Sequence, residues 1–255
     1  RLTEVSAETR SRLQMVFTTA GHSMAALRAM SYFSESSRFA DQTGGVAFYG
    51  FMEKAEELLS GDWEQLAEDL EELTRCLFRR ENLTVSYTAE KKSLEALKQQ
   101  VETLLAKLYR EPVKKEHWSL KADSGNEGLK TSSQIQYVAR AGSFGAEGLA
   151  YTGALSVLRT IMSYDYLWNN VRVKGGAYGC MNNYTRTGAG YMMSYRDPNL
   201  EKTNDIFEES AAYAEQFEVS ERDMTKYIIG TVSNLDTPLN PNAKGARSMA
   251  AWLQG

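Results

Sequence analysis

The chain has 255 residues, of which 42% are hydrophobic, and carries a formal net charge of −4 at pH 7. That length and hydrophobic content are enough to bury a core in one large domain or two smaller ones. Acidic and basic residues are mixed along the chain without a basic stripe, which makes nucleic acid an unexpected partner. No apolar run reaches the roughly eighteen residues of a membrane span, and the first residues lack a signal-peptide pattern.

Two cysteines, Cys76 and Cys180, stand far apart in the sequence. A disulfide framework is therefore not expected, and a reducing compartment is favoured. That compartment is the cytoplasm for a bacterial source and an organellar matrix for a eukaryotic one. The chain begins without methionine and stops at SMAAWLQG, which we interpret as a piece of a longer protein.

The first part of the chain is predicted to be mainly helical. Loosely spaced apolar residues indicate a helix over about the first thirty residues, with a break near Gly21. The polar stretch 34–45 ends in two glycines and is predicted to be a loop. The stripe from Phe48 to Leu59 predicts the next helix, and Asp62 with Gln65 resembles the capping pair that begins another.

A change of period follows. The alternation from Leu83 to Thr88 predicts a strand, and the apolar spacing from Ala89 to Tyr109 predicts a helix. Residues 111–132 contain a proline, charges of both signs and two glycines. This composition is typical of a linker between domains. The linker separates a first domain, residues 1–110, from a second, residues 133–255.

The second domain is also predicted to mix strands and helices. Gln134–Ala141 alternates like a strand, and a helix runs to Met162. After the central stretch, residues 196–199 (RDPN) form a turn that starts a helix, and Ser220 with Asp223 begins one more. The tail from residue 234 onward is predicted to be loop with a short helical start. The predicted fold class is therefore α+β.

The central stretch, from Ser163 to Tyr195, concentrates glycine and tyrosine. Gly175 and Gly176 allow a sharp turn or the close approach of a ligand. Alternating residues before this turn (Val171 and Val173) and after it (177–181 and 191–195) predict strands that meet there.

Most catalytic motifs are absent from the sequence. The two histidines, His22 and His117, belong to no zinc-binding motif. Ser23, in GHSMA, misses the nucleophile-elbow pattern, and no phosphate-binding loop is present. Paired glutamates lie on the polar faces of predicted helices, where solvation explains them.

Arg172 and Tyr178 remain as a candidate substrate-binding pair. A guanidinium presents a planar fork of donors to carbonyl and carboxylate groups. A phenol can donate a hydrogen bond to an oxygen that gains negative charge during acyl transfer. The alternative is that Arg172 pairs with Asp165 while Tyr178 packs in a sheet, and spacing alone leaves both open.

The segment YLWNNVRVKGGAYG (166–179), within the run from Gly153 to SYRDPNLEKT, carries a family resemblance. It resembles the C-terminal part of the presequence-protease branch of the insulinase (pitrilysin-type) zinc metallopeptidases. The segment beginning ENLTVSYTAEKK at Glu81 is similar to the closing strand and helix of the preceding domain in that family.

The resemblance implies an architecture of four homologous α+β domains arranged as two halves of a clamshell. Residues 1–110 would be the end of the third domain, 111–132 a linker, and 133–255 a truncated fourth domain. Each domain would pack helices against a layer of mixed or antiparallel sheet.

The resemblance also implies the roles of the site residues. Arg172 would hold substrate backbone, and Tyr178 would hydrogen-bond the carbonyl oxygen as it becomes an oxyanion. Lys174, Gly175 and Gly176 would shape the loop and bind substrate. No H-x-x-E-H motif is present, so zinc and the general base would come from the absent N-terminal half of the same polypeptide.

The implied function is the zinc-free C-terminal part of a metalloendopeptidase that degrades unstructured peptides, inactive on its own. The alternative is an inactive structural or interaction subunit of the same fold. Neither interpretation involves a membrane, and both leave the oligomeric state open.

Overall fold

The computed structural model describes residues 1–114, 119 and 123–254. The chain divides into two compact units, one formed by Arg1–Glu57 and Trp118–Leu235 and the other by Leu58–His117 and Asp236–Gly255. The division into domains 1–110 and 133–255 stays a prediction. Of the predicted linker, residues 115–118 and 120–122 lie outside the described part of the chain, and His117 lies with them.

Helices and a small antiparallel sheet confirm the predicted α+β class. In the first part of the chain the α-helices are α1 (Leu2–Thr19), α2 (Gly21–Ser31), α3 (Glu35–Gly44), α4 (Val46–Ser60), α5 (Trp63–Leu77) and α6 (Leu94–Leu105), with 3₁₀ turns at Arg80–Asn82 and Lys91–Ser93. The remainder holds β1 (Ala139–Ser143), α7 (Gly153–Ile161), a π-helix (Met162–Val173), β2 (Gly179–Tyr184), β3 (Ala189–Tyr195), α8 (Glu201–Glu208), α9 (Ser210–Glu215), α10 (Glu221–Leu235) and α11 (Pro241–Gln254). No helix among the described residues has the length and apolar character of a membrane span.

Several predicted helices are confirmed. The break predicted near Gly21 separates α1 from α2, and α4 covers the predicted apolar stripe. Asp62 caps α5, its Oδ1 accepting the backbone N–H of Gln65 at 3.5 Å. Ser220 precedes α10, and its Oγ accepts the N–H of Asp223 at 3.2 Å.

The loop predicted at residues 34–45 is wrong, because α3 occupies most of it. Ser34 caps this helix by accepting the N–H of Ser37 at 3.3 Å. Asp41 is 1% exposed; it pairs with Arg28 at 2.8 Å and accepts the N–H of Val46 at 2.8 Å. The helix buries a charged, paired side chain instead of an apolar stripe, so a hydrophobic pattern does not reveal it.

The strand predicted at Leu83–Thr88 is also wrong, since this segment has no regular structure. A strand needs a neighbour for its backbone groups, and the described residues pair no strand with it. The helix predicted from Ala89 to Tyr109 is shorter at both ends, as α6. The predicted short helical start near the C-terminus extends further, as the 14 residues of α11.

The sheet of the described residues has the order β1-β3-β2, with both pairs antiparallel. Its first strand starts later than predicted, at Ala139. The residues before it reach the sheet through an isolated bridge between Gln136 and Asp197.

The strand predicted at Val171 and Val173 is wrong, because both residues belong to the π-helix. Val171 is fully buried, whereas Val173 is 65% exposed. Their alternation therefore reflects two sides of one helix and not two faces of a strand. The predicted strands after the turn are confirmed as β2 and β3, although β2 starts at Gly179.

The core of the first unit lies between the π-helix and the sheet. Its buried members are Val138, Met162, Tyr166, Leu167, Val171, Ala177 and Phe207. Leu167 is completely buried, and burying one such side chain stabilises a fold by about 1.5–3 kcal/mol. This packing fixes one side of the π-helix against the sheet and leaves the side that bears the candidate site toward solvent.

Candidate functional site

Arg172 lies in the last turn of the π-helix. Residues four apart lie within about one turn of such a helix, and the guanidinium carbon of Arg172 lies 4.0 Å from the ring centre of Trp168. Asp165 does not pair with it among the described residues. Its carboxylate instead accepts a hydrogen bond from the Tyr227 hydroxyl, which together with burial raises the pKa of Tyr227 to about 12.

Tyr178 stands on the other side of the Gly175–Gly176 turn, just before β2. Its ring is 66% exposed, and its centre lies 5.8 Å from the guanidinium carbon of Arg172. The structure thus brings together the two residues that the sequence nominated. Tyr178 does not pack into the sheet, because its phenol remains open to solvent.

The turn between these two residues depends on its glycines. Gly176 has a φ of 84°, in the left-handed region that favours glycine. A Cβ atom on Gly175 would lie 2.4 Å from the carbonyl oxygen of Val171. The backbone closes tightly over the helix end, where Gly176 N–H donates to the Arg172 carbonyl at 2.9 Å.

Lys174 is exposed, and its Nζ donates to the Asn170 Oδ1 at 3.2 Å. Its recorded contact is thus with the preceding turn of the same helix. A direct role in binding substrate stays a prediction.

An aromatic cluster that the sequence analysis did not nominate extends behind Tyr178. The ring of Tyr195 lies 5.8 Å from that of Tyr178, 4.8 Å from His22 and 5.8 Å from Tyr137. Burial lowers the pKa of His22, and its Nδ1 has no hydrogen-bond partner within the described residues. The cluster joins α2, β3 and the residues before β1, a meeting that local sequence spacing does not reveal.

Trp168 is the second residue that the sequence analysis missed. It is 42% exposed, and the signal available was its position four residues before Arg172 in YLWNNVR. Its stacking presents the guanidinium as a flat surface whose edges are free to donate hydrogen bonds. Side by side, this guanidinium and the Tyr178 phenol can bind carbonyl oxygens of an extended peptide.

No group of three or more histidine, cysteine, aspartate or glutamate side chains could hold a metal ion in the part of the chain that the structure describes. Burial raises the pKa of Cys180 to about 11, which keeps this thiol protonated and a poor ligand at neutral pH. The described residues thus do not fit a zinc site.

Comparison with known proteins gives matches over both ends of the chain. The family model described as PreP C-terminal domain matches residues 126–255. A second family model, which describes a peptidase-associated domain, matches residues 1–54.

Relatives match over almost the whole chain. It is 34% identical to Protein HypA of Clostridium perfringens over 99% of this chain and 26% of that protein. It is 32% identical to Presequence protease 1, chloroplastic/mitochondrial, of Arabidopsis thaliana over 100% of this chain and 24% of that protein. The mitochondrial presequence protease of Yarrowia lipolytica is 27% identical over 100% of this chain. The chain therefore spans about a quarter of the length of these relatives.

Proposed function

Since the chain belongs to the presequence-protease family defined by the PreP C-terminal domain, we propose that it is the substrate-contacting C-terminal part of a zinc metallopeptidase. In this proposal the complete protein degrades unstructured peptides. The observation that carries it is the exposed pair formed by Arg172 and Tyr178, 5.8 Å from guanidinium carbon to ring centre.

The two residues divide the work of binding. Arg172 donates to backbone carbonyl groups of the peptide near the scissile bond, held flat by its stacking on Trp168. Tyr178 donates its phenolic proton in a hydrogen bond to the scissile carbonyl oxygen, a bond that strengthens as that oxygen gains negative charge. The glycines of the turn keep the backbone clear of the peptide, and Lys174 adds a positive charge beside it.

Zinc and the general base belong to another part of the complete protein in this proposal. The absence of a fitting ligand cluster among the described residues is consistent with that division of labour. The N-terminal half of the same polypeptide is therefore the partner that completes the active site.

The names of the relatives support a compartment as well. A chloroplastic or mitochondrial relative and a mitochondrial one support an organellar matrix for a eukaryotic source. The clostridial relative supports the cytoplasm for a bacterial one.

The test is reconstitution. The chain alone, the separately expressed N-terminal half and their mixture are each assayed on a long unstructured fluorogenic peptide, with bound zinc measured in each sample. The proposal expects chelator-sensitive cleavage in the mixture and neither cleavage nor zinc with this chain alone. Stoichiometric zinc and cleavage with this chain alone would contradict it, and a zinc-free, inactive mixture would indicate a structural subunit instead.

A further inference from the structure

The turn that joins Arg172 to Tyr178 is held from outside by residues 196–199. The side-chain amide of Asn199 donates a 2.6 Å hydrogen bond to the carbonyl oxygen of Gly175. On the other side, the backbone N–H of Tyr178 donates to the Arg196 carbonyl at 3.2 Å. One short segment therefore touches both ends of the glycine turn.

Asn199 is itself held by a buried carboxylate. Asp197 is completely buried, and its Oδ1 accepts the backbone N–H of Asn199 at 2.9 Å. Its Oδ2 accepts the hydroxyl of Thr203, also nearly fully buried, at 2.8 Å. The Asp197 backbone exchanges two 2.9 Å hydrogen bonds with Gln136, which ties the segment to the edge of the sheet.

This arrangement contains two features that cost free energy. A buried carboxylate loses its hydration, and the hydrogen bonds recorded for Asp197 come from neutral donors. Arg196 has a φ of 49°, the left-handed region that residues other than glycine rarely adopt. Such features persist where surrounding contacts hold them, and they concentrate at functional sites.

We propose that Asn199, oriented by Asp197, is a positioning residue for the Arg172–Tyr178 pair. The Asn199 amide fixes the Gly175 carbonyl and with it the turn that sets the direction of the Tyr178 phenol. Without this hydrogen bond the glycines, which allow many backbone conformations, leave the phenol spread over several positions. The inference rests on the proposed function, since it assigns Asn199 a role through Tyr178.

The test measures kcat, KM and thermal unfolding in the complete protein for Asn199→Ala, Tyr178→Phe and the double variant. Asn199→Ala is expected to lower kcat by about ten- to a hundredfold, the scale of losing a positioned oxyanion donor. In the Tyr178→Phe background the same change is expected to lower kcat by less than about twofold, because the group it positions is gone. Asn204→Ala, on α8 with its side chain on Arg140, is the matched control and should leave kcat unchanged.

Each other outcome overturns the inference. If Tyr178→Phe lowers kcat and Asn199→Ala does not, Asn199 has no positioning role and the proposed function stands. Equal losses from Asn199→Ala in both backgrounds mean that it acts through general destabilisation. If Tyr178→Phe leaves kcat unchanged, the proposed role of Tyr178 fails together with the inference.

Thr203→Val serves if Asn199→Ala does not fold. Valine keeps the shape of threonine and removes the hydroxyl that holds Asp197. A smaller loss of kcat in the same direction, roughly two- to tenfold and again absent in the Tyr178→Phe background, supports the inference. An unchanged kcat for Thr203→Val with Tyr178→Phe impaired overturns it.

Discussion

The guanidinium of Arg172 stacks on the ring of Trp168, with 4.0 Å between the guanidinium carbon and the ring centre. This contact replaces the ion pair with Asp165 that sequence spacing had left open. A stacked arginine keeps its charge and directs its donors outward in the plane of the fork. The residue is thereby prepared to bind a carbonyl-rich ligand.

Arg172→Lys in the complete protein should raise KM by roughly tenfold, with a smaller change in kcat. Lysine keeps the charge but loses the planar fork and its stacking on Trp168, so ground-state and transition-state binding weaken together. Steady-state kinetics on an unstructured fluorogenic peptide measures the effect. An unchanged KM would show that Arg172 does not hold the substrate.

Tyr178→Phe should lower kcat by roughly ten- to a thousandfold with KM nearly unchanged, because the phenolic hydrogen bond strengthens only in the transition state. Tyr164→Phe is the matched control, since Tyr164 is 67% exposed and Tyr178 66%. Equal kcat for the two variants would remove Tyr178 from the catalytic machinery.

Gly175→Ala should destabilise the chain by about 1–3 kcal/mol, because the added Cβ meets the Val171 carbonyl at 2.4 Å and the backbone must shift. Gly230→Ala, on α10, meets nothing within 4 Å and should be neutral or stabilising by up to about 1 kcal/mol. Denaturant unfolding of both variants gives the comparison. If Gly175→Ala unfolds like Gly230→Ala, the close approach of the turn to the helix end is refuted.

His22 should make stability depend on pH below about 6.5, its usual value in an unfolded chain. Burial lowers the pKa of folded His22, so between the two pKa values the unfolded state binds more protons. Its contribution to stability is complete above pH 6.5 and is lost as pH falls through the folded pKa. His22→Phe keeps an aromatic ring beside Tyr195 and removes the titration.

The measurement is the free energy of unfolding of wild type and His22→Phe between about pH 5 and 8, above the range where most carboxylates titrate. The wild type should lose stability relative to the variant as pH falls. Parallel curves would mean that the pKa of His22 is the same in the folded and unfolded states.

Local patterns predicted the helices whose signals lie within a few residues. The capping pairs at Asp62 and Ser220 and the stripe of α4 are such signals, because capping and amphipathic burial depend on neighbours one turn away. The same patterns failed for α3, where buried Asp41 depends on Arg28 in another helix. They failed again at Leu83–Thr88, because alternation alone supplies no pairing partner.

The sequence by itself determined the family, the α+β class and the nomination of Arg172 and Tyr178, because a motif of adjacent residues carries that information. Only the tertiary structure decided that Val171 belongs to a π-helix, that Trp168 stacks on Arg172 and that Asn199 holds the Gly175 carbonyl. Asn199 lies 24 residues from Gly175 along the chain. Contacts at such separations form only when the core has packed the π-helix against the sheet.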